Sequence, residues 1–372
     1  MASLGLARCF AAEIPNIKQA GPLIMLKTVI GLCLCPSCQD ANGSLTATAF
    51  RETDREVIDG ILRCANCGGV FPMSIACSIL SRLPLLDLAV LEDFERHYAG
   101  ELKAIQYERP RGAGAVHSQA NLAAQLKQRI HFDNYADGVV QRYDDYASMS
   151  FWRAVDAWTF ERWHELIDAN ELLLDVGCAD GRSSFPHLPR NIVVGFDISR
   201  KMIRRAIDTA VARGYEGRFT FFVSDGSSLP FKTGSFQYVQ TYGVLHHLPN
   251  PGAVTRDIQR VLKGGGIHFV LENNATVFRP LFDWLMKVVP IWHEEAGEEA
   301  LISRQMVEAW VEGLPARIDS GTIVFLPPHM FNFLPPKSAR RLLDVTNRLL
   351  GKIPGIKQNG GLIVFRIQKP RG

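Results

Sequence analysis

From residue 171 onward, short apolar runs alternate with stretches whose apolar residues recur at helical spacing. Segments 172–176, 192–196, 219–223, 238–241 and 267–271 are brief and mostly apolar, as parallel strands buried on both faces require. Helical stretches between most of them predict right-handed crossovers and a doubly wound, Rossmann-like α/β sheet. Residues 84–165 read as a helical linker or cap. There Leu85, Leu86, Leu88, Val90, Leu91, Phe94 and Tyr98 fall near helical spacing, and Trp152, Trp158, Phe160 and Trp163 resume it beyond a Pro/Gly break at 109–114. Residues 28–82 form a third region, with polar, Gly- and Thr-bearing stretches between cysteine pairs. The apolar stretch 22–34, interrupted by Lys27, predicts a strand leading into the first pair and is too short to span a bilayer.

Composition changes this picture little. A chain of 372 residues with 47% apolar and 21% charged residues suits about two globular domains. The net charge of +3 is a weak bias that tolerates an RNA partner without arguing for one. No later segment offers 18 uninterrupted apolar residues, so the expectation is a cytoplasmic protein without a transmembrane segment. Cysteine placement is more telling. Five of the eight cysteines lie from Cys33 to Cys67, mostly in pairs separated by two residues, a metal pattern and not a disulfide framework.

The segment from Leu172 to Arg182 reads as a strand, a tight turn of small residues and a helix start. Small residues let the backbone approach a ligand, and a helix N-terminus adds unpaired N–H donors. A dinucleotide fingerprint would place its third glycine where Arg182 stands. The small residues fall at 177, 179 and 181 instead, which suits a ligand without a pyrophosphate. Asp197 ends the second strand, where a carboxylate can accept both hydroxyls of a ribose. Asp225 ends the third, placed to accept from an exocyclic amine. Each acid alone would serve equally well as a cap or turn former; three features in register at one sheet edge point to a nucleoside site.

Asp-Val-Gly-Cys-Ala-Asp-Gly (175–181), Gly-Phe-Asp-Ile-Ser (195–199), Asp-Gly-Ser-Ser-Leu-Pro-Phe (225–231), Gly-Val-Leu-His-His-Leu (243–248) and Arg-Val-Leu-Lys-Gly-Gly-Gly (260–266) resemble, in order, the successive motifs of class I S-adenosylmethionine-dependent methyltransferases, in the subgroup often called type 11. The resemblance covers about residues 140–272. It implies that Gly177, Ala179 and Gly181 line the methionine moiety, Asp197 the ribose, and Asp225 with Gly226 the adenine edge. Asp175, Cys178, Ile198 and Tyr242 complete the candidate cofactor set. Ala179 departs from the usual middle glycine, and Gln237 from the usual aspartate before the fourth strand.

Cys35, Cys38, Cys64 and Cys67 form C-x2-C…C-x2-C with 25 residues between the pairs. Four thiolates would fill the shell of one tetrahedral zinc, making the site structural. Buried free thiols are the bland alternative. The module resembles the zinc-ribbon family of small methyltransferase-activator subunits in its Cys-Pro-x-Cys knuckle, Leu-Arg-Cys-x-x-Cys-Gly and Val-Phe-Pro, although Met73-Ser-Ile-Ala-Cys77 replaces the usual tail. Fused ribbons of this kind also occur on rRNA enzymes, which keeps an RNA substrate as an alternative. A cofactor-binding activator without turnover is a third reading.

His246 is the candidate general base, because it follows the fourth strand; a histidine pair there can also simply shape the turn. Tyr143, Tyr146 and Trp152 could cover the cofactor. An insertion at about 275–320, within a methyltransferase domain spanning 166–372, carries Phe278, Phe282, Trp284 and Trp292 before an acidic stretch, His293-Glu294-Glu295. Its apolar character suggests a lid over a small hydrophobic or aromatic acceptor; packing against the N-terminal helices would explain it equally well. The basic run at 200–205 reads as a solvated helix face.

Overall fold

The computed structural model describes residues 25–35, 37–38, 44–73, 88–109, 119–139, 143–291 and 300–371. The N-terminal part holds β1 (Met25–Leu26), a helical turn α1 (Lys27–Ile30), β2 (Leu45–Glu52), β3 (Glu56–Cys64) and β4 (Val70–Met73), with β3 antiparallel to the other three strands. Of the strand expected over 22–34, the described residues form only Met25–Leu26, and Val29 and Ile30 are buried from α1 instead. Helices α2 (Leu88–His97), α3 (Ala99–Ala104), α4 (Gln119–Asp137), α5 (Tyr143–Ser148) and α6 (Ser150–His164) fill the predicted helical region. Residues 110–118, most of the expected break, lie outside the described residues, as do Leu85, Leu86 and Trp292 to Glu295.

The remainder comprises β5 (Leu172–Val176), β6 (Ile192–Asp197), α7 (Arg200–Ala212), β7 (Phe219–Val223), β8 (Phe236–Tyr242), α8 (Pro251–Val261), β9 (Leu262–Asn273), α9 (Arg279–Val288), α10 (Arg304–Trp310), β10 (Arg317–Ile323), α11 (Pro328–Asn332), α12 (Pro336–Leu350) and β11 (Leu362–Gln368). All five predicted strands are present, in a seven-stranded sheet of order β10-β11-β9-β8-β5-β6-β7. β11 runs against both neighbours, so the Rossmann-like sheet is mixed and not wholly parallel. β6 and β8 flank β5 on opposite sides, and the strand order reverses between β5 and β8. This is the switch point at which doubly wound sheets open a crevice beyond the strand ends. Local signals agree: Ser199 Oγ accepts from Met202 N at 3.1 Å to cap α7, and Asn250 caps α8 ahead of Pro251.

Alternation along the strands splits the core into two layers. Leu173, Phe219, Phe221, Tyr238 and Phe269 pack on one face with α6, α7 and α12. Leu174, Val176, Val194, Phe196, Phe222 and Val239 pack on the other with α8 and the N-terminal module. No helix forms between β7 and β8, which leaves the apolar edge of this second face without its crossover cover. The cysteine module supplies that cover. Met25, Leu26, Val29, Ile30 and Cys33 join one buried cluster with Phe222, Phe231 and Phe236. Polar contacts pin the junction: Leu26 N donates to Thr220 Oγ1 at 3.0 Å, Gly217 N to Glu56 Oε1 at 2.8 Å, and Leu34 N to the Pro230 carbonyl at 2.8 Å.

Candidate cofactor and catalytic site

The turn after β5 differs from expectation in two respects. Residues 177–191 make successive turns, with no α-helix, so this turn presents no helix N-terminus to the crevice. The N–H groups of the turn are also already engaged: Gly177 and Cys178 donate to the Phe196 carbonyl, Ala179 to Asp197 Oδ2, Gly181 to the Cys178 carbonyl, and Arg182 to Asp180 Oδ1. The small residues serve the protein itself. Gly177 has φ +72°, and a Cβ there would lie 2.1 Å from Val244 Cγ2; Gly181 has φ +85°, and its Cβ would meet Phe185 Cζ at 2.7 Å. Ala179 stands at φ +44°, a conformation that L-residues occupy at a cost, which explains why glycine is usual there.

Asp197 lies at the end of β6, with Oδ1 accepting from Ser199 N at 2.8 Å and Oδ2 from Ala179 N at 3.0 Å. Burial pushes its carboxyl up to about 6 against the opposing pull of these two N–H donors. Asp225 Oδ1 accepts from the backbone and hydroxyl of Ser227, at 2.9 and 2.7 Å. Asp175 is fully buried, and its Oδ2 accepts from Ser183 Oγ at 2.7 Å and Ser184 Oγ at 2.6 Å. Its carboxyl is likewise raised to about 6, by burial before all else. It ties β5 to the following turns and stands back from the crevice.

Two further groups come together beyond β8 and β9. The Tyr242 hydroxyl donates to Asp156 Oδ1 at 2.5 Å, while Arg182 Nε stands 3.7 Å from Asp156 Oδ2, over the Trp152 and Tyr242 rings. Burial raises the Asp156 carboxyl, with Arg182 pulling the other way. His246 Nδ1 donates to Glu272 Oε2 at 2.6 Å, with side chains only 5% and 0% exposed. Glu272 Oε1 accepts from Val244 N at 2.9 Å and Leu245 N at 2.6 Å. With Nδ1 carrying the hydrogen, the basic lone pair of His246 is on Nε2, the arrangement a proton acceptor needs.

These groups line one cavity of about 990 Å³. That is the top of the range for small-molecule sites, roughly 300–1,000 Å³. It brings together Gly177, Cys178, Ala179, Asp197, Ile198, Asp225, Gly226, Tyr242 and His246, but neither Asp175 nor Gly181. Trp152 lines it as expected; the side chains of Tyr143 and Tyr146 lie outside the described residues. Of the expected lid, Phe278 before α9 and Arg279, Leu281, Phe282, Asp283 and Lys287 within it line the cavity. α10 belongs instead to the packing around α8, where Trp310 covers Gly252. Sequence reasoning missed Glu272, and it missed α4, whose Gln125, Gln128, Phe132 and Tyr135 form the wall facing the strand ends. The spacing of 125, 128, 132 and 135 is a helical stripe, but its mixture of amides and aromatics gives no hydrophobic signal. The basic run at 200–205 fastens this wall: Lys201 pairs with Asp137 and Arg205 Nη1 donates to the Ala136 carbonyl at 3.2 Å.

The Sγ atoms of Cys35, Cys38, Cys64 and Cys67 all lie within 4.8 Å of one another, with Cys35–Cys67 at 3.6 Å and Cys38–Cys64 at 3.7 Å. These separations are too long for disulfides and match a tetrahedron of thiolates about 2.3 Å from one zinc ion. Cys33 is no part of it: its Sγ donates to the Val29 carbonyl at 3.3 Å, and burial pushes the thiol up to about 12.

Comparison with known proteins agrees with the strand-end geometry. Residues 174–270 match the family described as methyltransferase domain. The chain is 31% identical over 146 residues to 27-O-demethylrifamycin SV methyltransferase of Amycolatopsis mediterranei, covering 36% of this chain and 54% of that protein. It is 29% identical over 162 residues to methyltransferase GfsG of Streptomyces halstedii, covering 42% and 55%. To 2-methyl-6-phytyl-1,4-hydroquinone methyltransferase of a Synechocystis strain it is 28% identical over 192 residues, covering 50% and 57%. The chain thus spans just over half the length of these curated relatives. Residues 174–270, which carry the match to the methyltransferase-domain family, are thus the part of the Rossmann-like sheet that holds the strand ends at the switch point.

Proposed function

We propose that the chain transfers a methyl group from S-adenosylmethionine to a small, largely apolar acceptor, with His246 as general base and a zinc-bound ribbon as part of its core. The observation that carries this reading is the cavity in which the strand ends bearing Asp197 and Asp225, the His246–Glu272 pair, and Phe278, Leu281 and Phe282 at the start of α9 meet. Asp197 would accept from the ribose hydroxyls and Asp225 from the adenine amine. The cofactor supplies the electrophilic methyl group when bound. This chain's residues orient the acceptor in line with it and take the acceptor's proton, which fits an O–H or N–H nucleophile. The rifamycin and phytyl-hydroquinone enzymes act, by their names, on small organic molecules, in keeping with the acceptor class. Zinc would be held by Cys35, Cys38, Cys64 and Cys67 and take no part in the chemistry.

The test is product profiling with a methyl-labelled donor. Purified protein is offered an organic-soluble extract or total RNA from the source cells. Label appearing in an organic-soluble product supports the proposal. Label appearing in RNA alone, with binding weakened by salt as counterion release demands, would replace it with the RNA reading.

A further inference from the structure

The strand ends provide partners for the ribose and adenine but not for the amino-acid end of the cofactor. Every N–H donor named above in the turn at 177–182 is bonded within the protein, so this turn is poorly placed to supply donors to a carboxylate. The nearby carboxylates of Asp197 and Asp225 would repel one. Partners for the amino-acid end are then to be sought among the side chains that line the cavity, of which Arg182 is engaged with Asp156 and the wall opposite the strand ends offers amides.

That wall is α4. Ser199 Oγ donates to Asp133 Oδ1 at 2.6 Å, which fixes the helix beside the residues that follow Asp197. One face of α4 looks into the cavity, and on it Gln125 is only 3% exposed. Neither Nε2 nor Oε1 of Gln125 has a hydrogen-bond partner among the described residues, and Gln128 Oε1, one turn on, is in the same position. Buried amides in native proteins are almost always paired, because an unmet donor and acceptor cost far more than a met one gains. A primary amide donates and accepts at once, which matches a carboxylate and an ammonium carried on the same carbon. An apolar acceptor would offer it little.

We infer that Gln125 is a cofactor-binding residue that holds the amino-acid end of S-adenosylmethionine from the cap helix. The inference rests on the cofactor reading proposed above. Calorimetric titration with S-adenosylhomocysteine and with 5′-methylthioadenosine, which lacks the amino-acid end, tests it on the wild-type chain, Gln125→Leu and Gln125→Asn. In Gln125→Leu, affinity for S-adenosylhomocysteine should fall about tenfold, the worth of a hydrogen bond to a charged group, with 5′-methylthioadenosine within about twofold of wild type. Gln125→Asn, shorter by one methylene, should lose affinity for S-adenosylhomocysteine in the same selective way and decides the matter if the leucine variant does not fold. The unliganded leucine variant should melt no lower than wild type, since it removes an unpaired buried amide. Unchanged S-adenosylhomocysteine affinity in both variants, or an equal loss for both ligands, overturns the inference. Failure of the wild-type chain to bind S-adenosylhomocysteine would overturn the cofactor reading instead.

Discussion

His246 Nδ1 donates to Glu272 Oε2 across 2.6 Å, joining the turn after β8 to the end of β9 at the wall of the cavity. Glu272 also accepts from two backbone N–H groups of that turn, so one buried carboxylate sets both the loop and the ring. His246→Ala should lower turnover by about 10²–10³-fold, a usual range for a lost general base, and leave S-adenosylhomocysteine affinity within about twofold. Glu272→Gln should lower turnover in the same direction and also cost about 1–3 kcal/mol of stability, because a charge-assisted acceptor is lost. Single-turnover rates and denaturant midpoints measure both effects. A wild-type rate in His246→Ala would show that the proton leaves without it.

Cofactor affinity should depend on pH through Asp197. Its carboxyl is raised to about 6 by burial, so it is ionised above that pH and increasingly protonated below it. The ionised form is the better acceptor for ribose hydroxyls. Affinity for S-adenosylhomocysteine should therefore rise between pH 5 and 7 and level off above. Asp197→Asn should bind weakly with a flatter profile over the same range. An unchanged slope in that variant would assign the titration to another group, such as Asp175.

Backbone geometry predicts opposite responses at two positions of one turn. Gly177→Ala would place a methyl 2.1 Å from Val244 Cγ2 at φ +72°, and should cost more than about 2 kcal/mol. Ala179→Gly removes a side chain from φ +44° and should be neutral or stabilising by up to about 1 kcal/mol. Thermal melts of the unliganded protein separate this from a ligand-clearance role, which would show only in binding.

The cysteine module should stabilise the sheet it packs on as well as itself. Met25, Leu26 and Cys33 are buried with Phe222 and Phe231, and Glu56 bonds across the junction to Gly217. Metal analysis should find one zinc per chain. Chelation or Cys64→Ser should lower the melting temperature of the whole molecule in one transition. Two separate transitions, with the later one unshifted, would show the modules to be independent.

The strands and the acids at their ends were legible because each strand carries its own apolar signature and each acid has a fixed offset from it. Relationships between distant segments were not. Glu272 is one acid at the end of a long strand, and nothing in the sequence aims it at His246. Gln125 sits on a helix with no apolar stripe toward the cavity. The cost of Ala179 lies in its φ of +44°, which residue type alone does not reveal. The cysteine module's place on the sheet follows from a crossover helix that does not form between β7 and β8, and periodicity cannot report where a missing element leaves a face open. Among the described residues of the expected lid, α10 packs around α8 while the α9 side lines the cavity.

Binding of S-adenosylmethionine tests the central claim most directly. Calorimetric titration of the purified, zinc-loaded chain should show one site per chain, and Asp197→Ala should abolish or strongly weaken it while the melting profile remains cooperative. A wild-type chain that is folded and gives no heat of binding, or an Asp197→Ala variant that binds as wild type does, would contradict the account.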